Sequence, residues 1–312
     1  MIPLPHLASR LYDTPLLIHR PKLDVILAVL GERIGLPQAA IGNLPTPAAK
    51  PEPAPAPGGI AVIPIYGTLV RRAMGLEAES GLTSYQQIAD ALDAALASPQ
   101  VSGILLDVDS PGGEAGGVFD LADRIRAAGR IKPIYAVANE MAFSAAYAIA
   151  SSAGKVFATR TGGVGSIGVI AMHVDQSVRD AQDGYCYTTV FAGQKKNDLN
   201  PHEAITDAGL AFLQSEVNRL YGLFAETVAR NRNLTLDAVR STEAGLYFAQ
   251  DAVNVGLADA VGTFDDALSV LTEAMTPRLL FPVSTATSVL RPPSSASLST
   301  SHPKENSLME EP

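Results

Sequence analysis

Tryptophan is absent from the 312 residues, and cysteine occurs once, as Cys186. A single thiol cannot form an internal disulfide, so a small disulfide-stapled secreted scaffold is excluded and a reducing compartment is expected. Cys186 itself is expected as a small buried residue within a strand. Basic residues are also short: 23 Lys and Arg stand against 32 Asp and Glu, a net charge of −9. That balance removes the cationic footprint on which nonspecific nucleic-acid binding rests, and no nucleic-acid partner is expected. The five histidines are scattered and, with the lone cysteine, show no metal-ligand spacing. No metal or cofactor is expected. A long clean apolar run is missing too. The longest candidate, Ile134 to Ala158, has about the length of a membrane span, but Asn139 and Glu140 interrupt it. Near the N-terminus Arg10 and His19 break the pattern, and Val25 to Leu30 is too short for the apolar part of a secretory signal. A cytoplasmic chain with no membrane anchor is expected.

What is present is a globular composition, 47% hydrophobic and 18% charged, long enough for one large domain or two small ones. Residues 1–44 read as an N-terminal arm with a short helical pattern across Lys22 to Ile34. Residues 45–59 hold six prolines and read as an extended, semi-rigid linker. A catalytic domain is expected over 60–275. Residues 276–312, rich in Ser, Thr and Pro and poor in aromatics, read as a disordered tail.

Inside 60–275 strand and helix signals alternate. Strands are expected at Ile60 to Ile65, Val101 to Val108, Ile134 to Ala138, Val156 to Ala158, Ile167 to Ala171 and Tyr185 to Phe191. The Val101 to Val108 run is continuously apolar, the mark of a strand buried on both faces. Thr83 with Gln86 resembles a capping box opening a helix that carries Tyr85, Ile88, Leu92 and Leu96. A second helix follows with Val118, Leu121, Ala122 and Ile125 on one face. A third is expected from Ser144, and a fourth to end at Gly184. The C-terminal part is helical: about Asp207 to Arg230 with Leu210, Leu213, Val217, Leu220, Phe224 and Val228 as its stripe, then Leu236 to Arg240, Gln250 to Val255 and Asp265 to Ala274. Alternation of this kind implies an α/β fold with a mostly parallel sheet or a spiral of βαβ units.

Three stretches can carry chemistry. Ser144 lies among Ala142, Ala145, Ala146, Ala148 and Ala150, where other backbone can approach closely. A serine at a strand-to-helix turn is either a helix cap or a nucleophile whose oxyanion the first helical N–H groups receive. Asp107-Val108-Asp109-Ser110-Pro111-Gly112-Gly113 leads a buried strand into a glycine turn ahead of a helix. Its bare N–H groups suit an oxyanion hole; a tight βα turn is the alternative, and the Lys-Ser ending of a phosphate loop is absent. The third stretch, Ala192 to Pro201, follows an expected strand and carries Lys195 and Lys196, either a solvated surface pair or a base. A serine nucleophile needs a base, for which His173, Lys195, Lys196 and His202 are candidates. A lysine in that role must be neutral, and an ordinary lysine is neutral in roughly one molecule in 2,500 at pH 7.

Taken in order, Asp-Ser-Pro-Gly-Gly (109–113), Ser144 with Tyr147 three residues on, Gly-Val-Gly-Ser-Ile-Gly-Val (163–169) and Gly193-Gln-Lys-Lys196 resemble the signal peptide peptidase A family. Gly245-Leu-Tyr-Phe and Asp251-Ala-Val-Asn-Val-Gly-Leu-Ala-Asp259 continue the likeness, which covers about residues 60–275. The resemblance implies a ClpP/crotonase-like fold and a Ser-Lys dyad, with Ser144 as nucleophile and Lys196 rather than Lys195 as general base. It also implies Gly113 (or Gly112) and Ala145 as oxyanion-hole N–H donors, with Ser166 placed to hydrogen-bond the lysine. Membrane-bound members have glycines after the nucleophile and an N-terminal anchor; here Ala145 and Ala146 stand instead. The chain is in this respect more similar to the phage branch, the lambda-type head-maturation (capsid assembly) proteases. That likeness implies a homo-oligomer in the host cytoplasm or immature capsid, acting on scaffold, on itself and on portal or minor capsid proteins. Other readings are a soluble cellular peptidase of the family, a Ser-His-Asp enzyme using His173, a scaffold component that no longer cleaves, and an acyl-CoA enzyme of the crotonase type, in which Gly-x-x-Lys has no role.

Overall fold

A computed structural model describes residues 10–30, 59–72 and 82–275. The expected linker, except Gly59, the whole of the expected tail and the end of the N-terminal helical pattern lie outside the described residues.

Two sheets organise the chain. The larger runs β10-β9-β7-β5-β2, with β8 and then β11 branching from β7. Its spine is β2 (Ile60–Tyr66), β5 (Gly103–Ser110) and β7 (Ile134–Phe143), all parallel. β8 (Lys155–Ala158), β9 (Gly163–Gly165) and β11 (Ala260–Val261) extend it in parallel, and only β10 (Leu246–Phe248) is antiparallel. The expected α/β class with a mostly parallel sheet is what the chain adopts.

Period-2 alternation explains how the spine is buried on both faces. From β5 and β7, Ile104, Leu106, Val108, Ile134, Ala136 and Ala138 face one core. Leu105, Tyr135 and Val137 face the other, where Ala267 and Leu271 of α9 (Phe264–Met275) cover them. The first core is closed by α2 (Tyr85–Ala97), α3 (Val118–Ala128) and α4 (Ala145–Ala150). α2 is capped by Ser84 with Gln87, one residue beyond the expected Thr83 and Gln86. The hydroxyl of Thr83 is engaged elsewhere, donating to the Tyr66 carbonyl (2.6 Å).

β7 outruns the expected Ile134 to Ala138 by five residues, and its two halves serve different neighbours. Tyr135 to Ala138 pair with β8, whereas Met141 to Phe143 pair with β9. Between them the register against β5 shifts: Val108 faces Ala138, but Ser110 faces Ala142. The polar pair Asn139 and Glu140 falls in that shift, so the break in the apolar run marks a fork in the sheet. Asn139 Nδ2 donates to Asp107 Oδ1 (2.8 Å), and the Tyr66 hydroxyl holds the other carboxylate oxygen. Burial and that carboxylate push the Tyr66 phenol up. Asp109, next in the strand, is also pushed up, first by burial and then by Glu140 and Asp107, against opposing pulls from Lys22 and the Met141 N–H.

The smaller sheet runs β1-β6-β3-β4: β1 (Leu16–Ile18), β6 (Gly112–Glu114), β3 (Thr68–Val70) and β4 (Leu82–Ser84). Thus part of the expected N-terminal arm is a strand, followed by α1 (Arg20–Leu30).

Three expectations fail in the second half. Tyr185 to Phe191 forms no strand and is exposed, and Cys186 is an exposed free thiol. β-rich sequence becomes a strand only where it pairs, and among the described residues this segment pairs with no strand. Ile167 to Ala171 contributes only one isolated bridge, at Ile170. The helices there are as expected: α5 (Ser177–Gln182), with Gly184 left-handed just beyond it, α6 (Asp207–Arg232), α7 (Leu236–Arg240) and α8 (Ala249–Asn254). On α6, Leu213, Phe224 and Val228 are buried, but Leu210 at the head of the stripe is exposed.

The C-terminal motif ends in a tie between layers. Arg232 Nη1 meets Asp259 Oδ2 at 2.8 Å, Arg232 Nε donates to the Gly256 carbonyl (3.1 Å), and the same Asp259 oxygen accepts from the Val156 N–H of β8 (2.7 Å). The Arg232 side chain is only 7% exposed, so losing its partner strands a buried charge. Asp259→Ala is expected to cost about 2–3 kcal/mol in urea denaturation, discounted because the carboxylate is part exposed.

Candidate active site

β7 delivers the chain to Ser144, and α4 begins at Ala145. Between them Ser144 sits at φ 56°, ψ −118°, outside the regions that L-residues favour. A sharp turn of this kind holds a serine proud of the sheet edge and is a place where strain and function coincide. The turn is held on both sides: the Ser144 N–H donates to the Gly165 carbonyl (2.8 Å), while the Ser144 carbonyl accepts from Tyr147 (2.9 Å) and Ala148 (3.0 Å). The helix-cap alternative fails, because the Ser144 side chain makes no capping bond. Its Oγ is buried and has no hydrogen-bond partner among the described residues. A buried hydroxyl left idle costs about 1–3 kcal/mol, so its position calls for another reason.

All six residues of α4 are buried, which explains the alanines: the helix is inserted among strands and other helices with no room for larger side chains. Tyr147 is the exception in size. Its hydroxyl crosses the core to the Leu257 carbonyl (2.8 Å), and burial pushes the phenol up. The Ser-x-x-Tyr motif and the C-terminal Gly-Leu-Ala motif are therefore one contact.

The Gly-Gly turn lies against the serine. A Cβ on Gly112 would stand 3.0 Å from the Ala145 nitrogen and 2.9 Å from the Phe143 carbonyl oxygen, and φ there is +95°. The Gly112 N–H is taken by Ser110 Oγ (3.2 Å), which favours Gly113 of the two as an oxyanion donor. The Ala145 N–H opens α4 and has no acceptor within it. Gly163 to Gly165 closes the third side and pairs with Leu246 to Phe248, so two more motifs meet in one ladder. Ser166 follows directly, at φ 54°, with its N–H on the Gly245 carbonyl (2.9 Å). β10 carried no strand signal in the sequence; its partnership with the glycines of β9 could have been found only from their shared motif.

The expected bases are not brought to Ser144 within one chain. Lys195 and Lys196 are exposed, in a turn closed by the Lys196 N–H on the Gly193 carbonyl (2.9 Å). His173 uses Nδ1 on Asp13 (2.8 Å), and its buried Nε2 has no partner, so it does not bond Ser144. His202 stacks on Tyr187, ring centroids 3.8 Å apart, with Nδ1 on Asp180 (2.8 Å). No helix among the described residues is long and apolar enough to cross a membrane.

A strained serine with an idle hydroxyl, beside glycine backbone and the first turn of a buried helix, has the arrangement that a serine hydrolase needs. Comparison with known proteins narrows the class. Residues 126–276 match the model of peptidase family S49. The head-tail preconnector protein GP5 of Enterobacteria phage P21 is 36% identical over 87% of this chain and 58% of its own length. Capsid assembly protease C of Escherichia phage lambda is 34% identical over 88% of this chain and 67% of its own. A structure of a ClpP1 mutant from Listeria monocytogenes superimposes with TM-score 0.42 and 14% identity, over 66% of this chain and 94% of that one. The chain belongs to peptidase family S49. It spans between about half and two thirds of the two phage relatives.

Proposed function

We propose that this chain is a serine endopeptidase of phage head maturation, cutting scaffold, itself and portal or minor capsid proteins in the host cytoplasm or immature capsid. The observation that carries the reading is Ser144, strained and buried, its hydroxyl without a partner among the described residues, held on Gly165 and followed by an Ala145 nitrogen that Gly112 approaches closely. Residues 60–275 are taken as the peptidase domain, preceded by the arm (1–44) and linker (45–59) and followed by the tail (276–312).

In the proposed reaction Lys196 takes the Ser144 proton, and the alkoxide attacks a peptide carbonyl. The N–H groups of Gly113 and Ala145 receive the oxyanion, and Ser166 orients the lysine. Water then hydrolyses the acyl-enzyme with the same lysine as base. Since one chain leaves Lys196 in solvent, the lysine is supplied by a second copy. The segment that carries it supports this: Val178 is 71% and Val190 93% exposed, and Tyr185, Tyr187 and Phe191 are exposed beside them. An apolar surface of that size on one arm suits burial against another protomer.

The test is cleavage itself. Co-expression with a capsid scaffold protein from the same genome is expected to give new scaffold N-termini, read by mass spectrometry, that vanish with Ser144→Ala. Intact scaffold with the wild-type chain would sink the reading.

A further inference from the structure

The space beside Ser144 is occupied by the chain itself. β1 lies antiparallel to β6 with Leu16, Leu17 and Ile18 opposite Glu114, Gly113 and Gly112, and the His19 N–H extends the ladder to the Pro111 carbonyl (2.8 Å). On its other edge Leu16 exchanges both hydrogen bonds with Ile170 (2.7 and 2.9 Å), and the Asp13 N–H reaches the Met172 carbonyl (2.7 Å). An extended segment thus runs between the glycine strand and the residues that follow Ser166. Hydrogen-bonded and open pairs alternate along an antiparallel ladder. With His19 bonded to Pro111, the bonded pair two residues on is Leu17 with Gly113, so the Gly113 N–H faces the Leu17 carbonyl. That carbonyl oxygen comes within 2.2 Å of where a Gly112 Cβ would stand. The His19 ring packs on Phe143, centroids 5.2 Å apart, one residue before the serine. Ser144 is left 1% exposed.

We infer that residues 13–19 are an intramolecular occupant of the substrate groove, and that an extended apolar peptide enters only when this segment leaves. The inference rests on the reading of Ser144 as nucleophile. Backbone pairing on both edges with alternate side chains in pockets is how a protein takes an extended peptide. The occupant shows which peptide fits: Pro15 to Ile18 carries no charge, and Leu16 and Ile18 settle in an apolar cluster with Leu23, Ile170 and Met172. Asp13 on His173 fastens the far end. A groove free for only about one part in a hundred of the time weakens apparent affinity about a hundredfold.

The test locks the occupant in place. In the full chain carrying Ser144→Ala, Cys186→Ser, Leu16→Cys and Ile170→Cys, the two new thiols are directly opposed. Binding of a fluorescein-labelled peptide of residues 12–19 is followed by anisotropy. The oxidised protein is expected to bind at least about tenfold more weakly than the reduced one. Addition of Leu17→Asp, which expels the segment, is expected to tighten reduced-state binding by a similar factor. Equal affinity in the oxidised and reduced states overturns the inference, as does failure of the disulfide to form. If Leu17→Asp does not fold, judged by its circular-dichroism melt, the lock decides alone. Because the readout is binding by a Ser144→Ala protein, it is independent of catalysis. A serine that fails as nucleophile would instead appear as no fluorophosphonate labelling of Leu17→Asp with Ser144 intact.

Discussion

Mixing Ser144→Ala protein with Lys196→Ala protein is expected to restore peptidase activity that neither has alone. Each variant by itself should lose about a thousandfold or more, because nucleophile and base act as a unit and removing either disables both. The rescue follows from placement. Lys196 is exposed on an apolar arm, and Ser144 Oγ is buried with no partner among the described residues. If the arm docks on a neighbour, a site is whole whenever an intact serine meets an intact lysine across an interface. Random assembly of equal amounts gives about a quarter of the sites in that state. Activity is read as substrate turnover after co-refolding, with each variant alone as control. No recovery, in a mixture that co-assembles by native mass spectrometry, would place both residues in one chain.

Gly113→Ala is expected to do the greatest damage of any glycine-to-alanine change among the described residues. The added Cβ would stand 1.8 Å from the Leu69 carbonyl oxygen, 2.6 Å from its carbon and 2.7 Å from its nitrogen. All three are backbone atoms of a paired strand, so relief requires β3 and β6 to separate. The loss should exceed about 3 kcal/mol in urea denaturation, the upper range for overpacking, and labelling of Ser144 should vanish with it. Gly222→Ala is the matched control. It lies inside α6 with nothing within 4 Å of the new methyl, and should stabilise the protein by about 1 kcal/mol through helix propensity. Comparable effects at both positions would contradict the close approach described for Gly113.

Much of this was legible in the sequence, for a physical reason. β5 and the first half of β7 are buried on both faces, so their apolar runs leave little ambiguity. α6 announces itself over 26 residues. The Gly-Gly turn and Ser144 were each ambiguous alone, and only the ordered family resemblance joined them; the close backbone approach that explains their Gly and Ala residues is visible in the structure. What stayed hidden depends on partners distant in the chain. β1 is three apolar residues whose strand character comes entirely from Gly112 to Glu114 and Ile170. The second half of β7 was masked because Asn139 and Glu140 look like an end when they are a fork. Tyr185 to Phe191 misled in the opposite direction, since its β-branched and aromatic residues pair with no strand among the described residues. The capping box was misplaced by one residue because Thr83 and Ser84 are both able caps, and only the Tyr66 carbonyl decides between them.

If Ser144 is a nucleophile activated by Lys196, its hydroxyl reacts with an electrophile only while the lysine is present. The most direct measurement is fluorophosphonate labelling of the assembled protein, with the modified residue located by mass spectrometry. Labelling is expected at Ser144 in the wild type and to fall about a hundredfold or more in Lys196→Ala. Labelling at another serine, or at Ser144 with equal speed in both proteins, would contradict the account.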